Sequence, residues 1–276
     1  MDDLRKRAHS GDLEAQFELA ERYDFRRPRR PALAERWYRA AATAGHPQAA
    51  NNLAEMIRDG ALAPADPKAA LPWFRAAAEK GQVESQVSLA CAYFEGEGVR
   101  RDPARAIEWY RRAARRRHKI AEFNLGLAHL YGDGVPADAR EACRWLGKAA
   151  AQNHIRAQFL MGLASELGEG TRRNYAKAHH WYGKAARWGD AEAQARLGRL
   201  YQRGLGVKRS RHQAARLYRK AAQRGDASGQ FWLGLAYREG DGVAPNRRWA
   251  KHWLLKALAN GHPEAEGAAR ELLTHR

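Results

Sequence analysis

Cysteine is nearly absent from this 276-residue chain. The two that occur, Cys91 and Cys143, are far apart, and neither belongs to a CxxC pair. Disulfide scaffolds and cysteine metal sites both need a characteristic close spacing of several cysteines. The sequence therefore predicts no disulfide framework and no metal site, and it is compatible with a reducing compartment.

Long hydrophobic runs are missing as well. No apolar stretch approaches the ~18 residues that a membrane span requires. The charged segment 1–7 is not followed by the apolar stretch of a secretory signal. These absences predict a cytoplasmic protein without membrane insertion.

Catalytic motifs are also lacking. There is no SxxK and no GxSxG, and the GxG loops extend neither to GxGxxG nor to a phosphate-binding loop. His179 and His180 are adjacent, so their side chains leave a helix in different directions, and His129 occupies a position where other repeats have tyrosine. We therefore expect these histidines to be structural, and we predict no catalytic residue, no cofactor and no enzymatic activity.

Acidic residues become scarce toward the C-terminus. Residues 1–110 hold 17 Lys/Arg and 17 Asp/Glu, residues 111–170 hold 10 and 6, and residues 171–276 hold 22 and 8. The net charge of +18 favours an anionic partner for the C-terminal half. A compositional origin is the alternative, because 38 of the basic residues are arginine and 11 are lysine, as GC-rich coding produces.

A 36-residue period runs through the chain. The tryptophan series, defined by this step, has leucine at one of its seven places: Trp37, Trp73, Trp109, Trp145, Trp181, Leu217 and Trp253. A second series keeps the same step: Leu53, Leu89, Leu125, Met161, Leu197 and Leu233. A fixed period of this size indicates one supersecondary unit that is copied along the chain and buries its apolar face on its neighbours.

Each unit predicts two helices, which we name A and B. In residues 81–116, helix A covers 84–95 and carries one apolar stripe of helical period, and glycines at 96 and 98 end it. Asp102 and Pro103 then start helix B as its N-cap and first residue. The equivalent N-cap positions hold Asp66, Asp102, Asp138, Asn174, Ser210 and Asn246. With alanines on either side, the tryptophan series is expected to fill the space between helices.

These residues resemble a known family. The pattern A-x-x-LG…Y-x-x-G-x-GV-x-x-D-x-x-x-A-x-x-WY-x-x-AA-x-x-G, seen well in residues 193–225, is similar to the Sel-one-like repeat (SLR) family, a relative of the tetratricopeptide repeats. The resemblance implies an all-α, right-handed α-solenoid of about seven 36-residue helix-turn-helix units with terminal capping helices. It also implies a concave groove and an adaptor or scaffold role. We expect a single solenoid domain over 1–276, with a C-terminal cap at 261–276 and units at approximately 11–44, 45–80, 81–116, 117–152, 153–188, 189–224 and 225–260.

Four departures from the pattern stand out. Unit one has an arginine- and proline-rich segment at 26–31 in place of the glycine loop, and unit two has Leu62 where the second glycine belongs. Arg117 and Asn153 replace the glycine between units. Asparagine tolerates the left-handed backbone region better than arginine does.

Helix A positions that point away from the packed stripe face the groove in this family. They predict an apolar middle section, a ring of arginines and an aromatic end. These partner-binding candidates are Leu127, Tyr131, Leu160, Leu163, Leu167, Arg196, Arg199, Arg203, Trp232 and Leu235. Apolar side chains on a solvated face are typical of a contact surface, although burial against neighbouring A helices would also account for them.

Three functions remain open from the sequence. The first is a non-catalytic adaptor that binds a peptide or protein, preferably acidic, in the groove. The second, implied by the resemblance, is an immunity protein that neutralises one cognate toxin. The third is nucleic-acid binding through basic clusters on the outer face, at 26–30, 111–119, 172–173, 208–216 and 247–248. Against the third, we expect no aromatic residues at exposed positions among these clusters.

Overall fold

The computed structural model describes residues 2–274, with side chains as far as Arg270. Within this range every regular element is an α-helix, which confirms the all-α prediction, and sixteen helices follow one another. The first eight are α1 Asp2–His9, α2 Leu13–Phe25, α3 Pro31–Thr43, α4 Pro47–Arg58, α5 Pro67–Glu79, α6 Val83–Glu95, α7 Pro103–Arg115 and α8 Lys119–Tyr131. The next eight are α9 Ala139–Ala151, α10 Ile155–Leu167, α11 Tyr175–Arg187, α12 Ala191–Arg203, α13 Arg211–Gln223, α14 Ala227–Glu239, α15 Arg247–Ala259 and α16 Ala265–Thr274.

The described helices form two compact units, and the division falls between Ala137 and Asp138. The first unit contains α1–α8 and the second contains α9–α16. Inside each unit every helix packs against the next one along the chain. In the second unit α12 also contacts α10 and α14, so the A helices there stand side by side.

The predicted N-caps start the B helices. In all six cases a side-chain oxygen of the cap residue accepts a hydrogen bond from a backbone N–H in the first turn. Asn174, for example, accepts from the N–H of Lys177 at 2.9 Å. Because the first N–H groups of a helix have no partner inside it, these bonds fix where each B helix begins.

The tryptophan series lies at the edge of the core rather than inside it. Trp37 is buried, but the other five tryptophans are only half-buried. The next residue along the chain is the core residue, at most 3% exposed in every repeat: Tyr38, Phe74, Tyr110, Leu146, Tyr182, Tyr218 and Leu254. Neighbouring residues of a helix point ~100° apart, so a stripe centred on the second position leaves the first at its border. The expectation that the tryptophans fill the core was therefore wrong by one residue.

The glycine loops end the A helices, as predicted. The first glycine of each double-glycine loop takes the left-handed conformation that caps the helix C-terminus: Gly96, Gly132, Gly168, Gly204 and Gly240. The second glycine has another role. At Gly206 an added Cβ would lie 2.3 Å from the carbonyl carbon of Tyr175, at the start of the preceding B helix. The loop of one repeat therefore rests directly on the backbone of the repeat before it.

A glutamine side chain ties five of the A helices (α2, α6, α10, α12 and α14) to the helix before each of them, a feature that the sequence analysis missed. Gln194 is 3% exposed, and its amide N–H donates to the carbonyl oxygen of Ala186 at 3.0 Å. The same bond recurs from Gln16 to Ala8, Gln86 to Ala78, Gln158 to Ala150 and Gln230 to Ala222. The accepting carbonyls belong to the last turn of a helix, where the usual donor four residues later is missing. Each of them also accepts from the backbone N–H three residues later. Recurrence of glutamine at the 36-residue step was the available signal.

Arg117 and Asn153 take the left-handed conformation, with φ of 60° and 61°. This conformation costs an ordinary residue about 1–2 kcal/mol. Replacement by glycine removes that cost, but about 0.5–1 kcal/mol of the gain is lost because glycine has more conformational entropy in the unfolded chain. We therefore expect Arg117→Gly to raise the free energy of unfolding by about 0.5–1 kcal/mol, measured by urea denaturation. Asn153→Gly should gain less, and a loss of stability in Arg117→Gly would contradict this explanation.

Candidate functional site

The structure offers neither a metal-binding cluster nor an activated thiol among its described residues. In the described part of the chain no group of three or more His, Cys, Asp or Glu could hold a metal ion. The Cys91 thiol lies 3.2 Å from the Tyr110 hydroxyl, and burial raises the pKa of Cys91. A raised thiol pKa means less thiolate at neutral pH, so this environment does not activate Cys91 as a nucleophile.

The histidines singled out in the sequence also have structural surroundings. Nε2 of His179 lies 3.1 Å from the Tyr201 hydroxyl, and burial lowers the pKa of His179. His180 packs edge-on against Trp181, with ring centroids 5.2 Å apart. His129 is half-buried on α8. The two neighbouring histidines thus contact different aromatic rings and form no pair.

In the first unit, the two groove candidates lie on the last turns of α8. Leu127 is half-buried, whereas Tyr131, the final residue of the helix, is 69% exposed. A tyrosine exposed to this extent leaves both its ring and its hydroxyl free to contact another molecule.

In the second unit, the three leucines of α10 differ from one another. Leu160 and Leu163 pack against the core cluster that contains Phe159, Tyr182 and Leu197. Leu167, at the C-terminal end of the same helix, is 51% exposed. Partial burial against neighbouring helices therefore accounts for two of the three apolar positions, and Leu167 is the one that solvent reaches most.

The three arginines of α12 do not form a uniform positive ring. Arg196 makes an ion pair with Glu166 at 3.4 Å, and the Tyr182 hydroxyl donates to the same carboxylate oxygen at 2.7 Å. The guanidinium of Arg199 lies 5.5 Å from the ring centroid of Trp232. Arg203 is exposed. One charge is thus neutralised locally, one rests on an aromatic ring, and one points to water.

A cleft of about 220 Å³ lies between α10, α12 and α14. Phe159 and Trp232 supply its apolar walls, and Arg196 and Arg199 its cations. Glu192 and Asp226 also line it. Arg156 pairs with Glu192 at 2.8 Å and covers the Phe159 ring at 4.5 Å. The cleft is large enough for about one bulky side chain, with charges of both signs around its mouth.

Asp226 and Trp232, which line this cleft, are held in fixed positions. Asp226 caps α14 by accepting from the Gly229 N–H, while burial raises the pKa of Asp226. Trp232 and Leu235 pack in part against the core that contains Phe231 and Leu254. Both side chains of α14 are therefore held in place, and the cleft is preformed.

One basic cluster, at 247–248, has an exposed aromatic neighbour after all, and a second exposed tryptophan follows an arginine outside the clusters. Trp188 is 66% exposed and directly follows Arg187, and Trp249 is 46% exposed and directly follows Arg247 and Arg248. The expectation that no exposed aromatic residue lies among the basic clusters was therefore wrong at the 247–248 cluster. It failed because the 36-residue pattern does not include these two tryptophans.

In the first compact unit, an apolar cavity lies beside the loop after α4, which departs from the repeat pattern. Its volume is about 580 Å³, and Met56, Ile57 and Trp73 line it. Leu62, in place of the second glycine, also lines it and is 47% exposed. The altered loop thus leaves apolar surface uncovered on this unit.

Comparison with known proteins places these features in a family. The sequence matches the Sel1 repeat seven times, at residues 13–46, 47–82, 83–118, 119–154, 155–190, 191–226 and 227–262. No curated protein gives a match. A protective antigen of uropathogenic Escherichia coli strains that displays an SLR fold is 30% identical, with a TM-score of 0.77. The similarity covers 98% of this chain and 66% of that protein, so the chain spans less than two thirds of its length.

A Sel1 repeat protein from Oxalobacter formigenes is 28% identical, with a TM-score of 0.63, over 99% of this chain and 90% of that one. An immunity protein from Pseudomonas aeruginosa is 19% identical, with a TM-score of 0.42, and the similarity covers 92% of this chain and 90% of that one. The last similarity is too low to carry an argument. No helix in the described part of the chain has both the length and the apolar character needed to cross a membrane.

Proposed function

The chain belongs to the Sel1 repeat family, whose members generally mediate protein–protein interaction, and we propose that it is a non-catalytic adaptor that binds a protein or peptide on the exposed side of its A helices. The observation that carries the proposal is the preformed cleft beside Trp232. It combines aromatic walls, cations and a size suited to one side chain.

The cleft and its surroundings have the composition of a peptide contact. Arg199 is held over Trp232 and has no carboxylate within ion-pair distance in the described residues. A partner carboxylate can therefore form a two-pronged contact with this guanidinium, while an apolar partner side chain enters between Phe159 and Trp232. Leu167 extends the apolar surface beyond the cleft.

The remaining groove candidates are assigned to the same role, each within its own unit. In the second unit these are Leu160, Leu163, Leu235, Arg196 and Arg203, and in the first unit Leu127 and Tyr131. Leu160 and Leu163 support the cleft from the core side. Tyr131 is the member of the first unit that offers most surface to a partner.

Site-specific photo-crosslinking tests where the partner binds. A photoreactive phenylalanine analogue at Leu167, on an A helix, should crosslink the partner in extracts of the source organism. The same analogue at Leu255, a leucine of B helix α15 that is 40% exposed, is the matched control. Crosslinking from position 255 but not from 167 would move the site to the opposite helices and overturn the proposal.

Charge reversal tests the role of Arg199 once the partner is purified. We expect Arg199→Glu to slow association by about three- to tenfold and to weaken its salt dependence, because charges at an interface act mainly on encounter. Arg219→Glu, on B helix α13, carries the same charge change and should bind nearly as wild type does. Surface plasmon resonance at two ionic strengths measures both variants, and equal effects would show that only net charge matters.

Substitution of Leu167 completes this test. Leu167→Asp should speed dissociation, because an unpaired carboxylate would be buried in an apolar contact. Leu167 is preferred over Leu163 because its exposure lets the variant fold normally. An immunity role is the special case in which this face serves one acidic toxin, and capture of a single stoichiometric partner would distinguish it.

Nucleic-acid binding is a second candidate, favoured by the exposed tryptophans. Aromatic side chains stack on bases, and neighbouring arginines contact phosphates. Residues 138–276 hold 26 Lys/Arg and 12 Asp/Glu. Binding to single-stranded RNA that falls steeply with salt and is weakened by Trp249→Ala would support this function over the adaptor.

A further inference from the structure

Four of the five half-buried tryptophans share a contact with a basic residue three places later. The cation lies over the indole ring in four repeats: Arg112 on Trp109 at 4.3 Å, Lys148 on Trp145 at 3.9 Å, Lys184 on Trp181 at 5.0 Å and Lys256 on Trp253 at 5.3 Å. In the sixth repeat the cation is Lys220, but the ring is replaced by Leu217. Lys220 therefore keeps its place in the pattern without its aromatic partner.

A cavity of about 500 Å³ occupies the corresponding part of the second unit, between α11, α12 and α13. Leu217, Leu197 and Tyr201 give it apolar walls. Cavities of this size hold small organic ligands. Replacement of a tryptophan by the smaller Leu217 thus accompanies an open space.

Gly183 enlarges the same space. It lies inside α11, where glycine is less favourable than alanine, and a Cβ placed on it would meet no atom within 4 Å. In the first unit the equivalent residue is Arg39, whose guanidinium lies 5.8 Å from the Trp73 ring centroid. Both side chains that meet at this point in the first unit are therefore reduced here, one in the fifth repeat and one in the sixth.

The cavity is strongly positive. Four cationic side chains line it, and the lining contains no carboxylate: Arg187, Arg216, Lys220 and Arg224. None of the four has an ion pair within the described residues. Arg187 and Arg224 donate only to backbone carbonyls, those of Gly183 at 3.2 Å and Gly189 at 3.1 Å. The cations are therefore available for a ligand.

We propose that this cavity binds a small anion that carries an aromatic ring, the class to which nucleoside phosphates belong. The ring takes the place of the missing indole against Leu217, where Lys220 can lie over it as the equivalent cations do in other repeats. The phosphate groups meet the guanidinium groups, whose planar donors suit phosphate oxygens. This site is separate from the A-helix cleft and does not depend on the adaptor function.

Isothermal titration calorimetry with ADP and with pyrophosphate tests the proposal. ADP supplies a ring and phosphates, whereas pyrophosphate supplies similar charge without the ring. We expect saturable binding of ADP to the wild-type protein below about 1 mM, and at least about tenfold weaker binding of pyrophosphate, since burial of the ring adds more than 1.4 kcal/mol. No binding of ADP, or equal binding of both probes, overturns the proposal.

Leu217→Trp restores the tryptophan that six of the seven repeats carry, and the indole should occupy the place proposed for the ring of the ligand. We expect this variant to fold, as checked by circular dichroism, and to bind ADP at least about tenfold more weakly. Lys220→Gln should weaken ADP binding by about tenfold through loss of a charged contact. Its matched control is Arg219→Gln, on the same helix but outside the cavity, which should leave affinity within about twofold.

The variants decide between a site and a general attraction for anions. If Leu217→Trp binds ADP like the wild type, the ligand does not occupy this cavity and the proposal fails. If Leu217→Trp does not fold, the comparison of Lys220→Gln with Arg219→Gln decides. Equal losses in those two would show diffuse electrostatics and overturn the site, and a loss confined to Lys220→Gln would support it.

Discussion

Replacement of Tyr182 by alanine is expected to lower the free energy of unfolding by about 3–5 kcal/mol, the range for loss of a buried aromatic side chain. Tyr182 is fully buried, and its hydroxyl donates to Glu166 at 2.7 Å. Its ring lies against the backbone of α10, where a Cβ on Gly162 would come within 2.5 Å of it. The variant therefore removes core volume and a hydrogen bond together.

Trp181→Ala is the informative comparison, because it removes the larger neighbouring side chain. Trp181 is half-buried, and the ammonium group of Lys184 lies over its ring, so we expect a smaller loss of about 1–3 kcal/mol. Urea denaturation followed by circular dichroism measures both, with attention to separate transitions because repeat arrays need not unfold in one step. A larger loss for Trp181→Ala would show that the tryptophan series is the true core.

Gly206→Ala is expected to have the second large effect. Gly206 has φ of 67°, where alanine costs about 1–2 kcal/mol. The added Cβ would also lie 2.3 Å from the backbone of Tyr175, and relief of such a clash costs about 1–3 kcal/mol more. We expect a total loss of about 2–5 kcal/mol, visible as a lower melting temperature.

Gly225→Ala separates the two causes. Gly225 has φ of 88°, but a Cβ on it would meet nothing within 4 Å. This control should lose only the conformational part, about 1–2 kcal/mol. If both variants lose the same free energy, the contact between the Gly206 loop and the preceding B helix contributes nothing to stability.

The candidate cleft could be predicted only in part from the sequence. Helical spacing predicted that Leu167, Arg199 and Trp232 point away from the packed stripe of their A helices, and in the structure Leu167 is exposed and the other two are half-buried. Spacing could not show that Arg196 would pair with Glu166, because the two residues belong to different repeats and lie 30 positions apart. Whether a charge is free or neutralised depends on such neighbours.

The cavity beside Leu217 shows the same limit. The missing tryptophan was evident in the sequence as an interruption of the 36-residue series. Its consequence was not, because a core can close around a smaller residue when neighbouring side chains move in. The space stays open here because Gly183, one repeat earlier, contributes no side chain.

The sequence by itself determined the repeat, the all-helical class and the helix ends. These depend on local rules: apolar residues at helical period, side-chain oxygens that cap the first turn, and glycines that end a helix. The tertiary structure alone decided which of two adjacent aromatic positions is buried, which glutamine joins consecutive helices, and where space remains. Those outcomes depend on contacts between residues that the chain separates by 8 to 36 positions, and so on packing between helices.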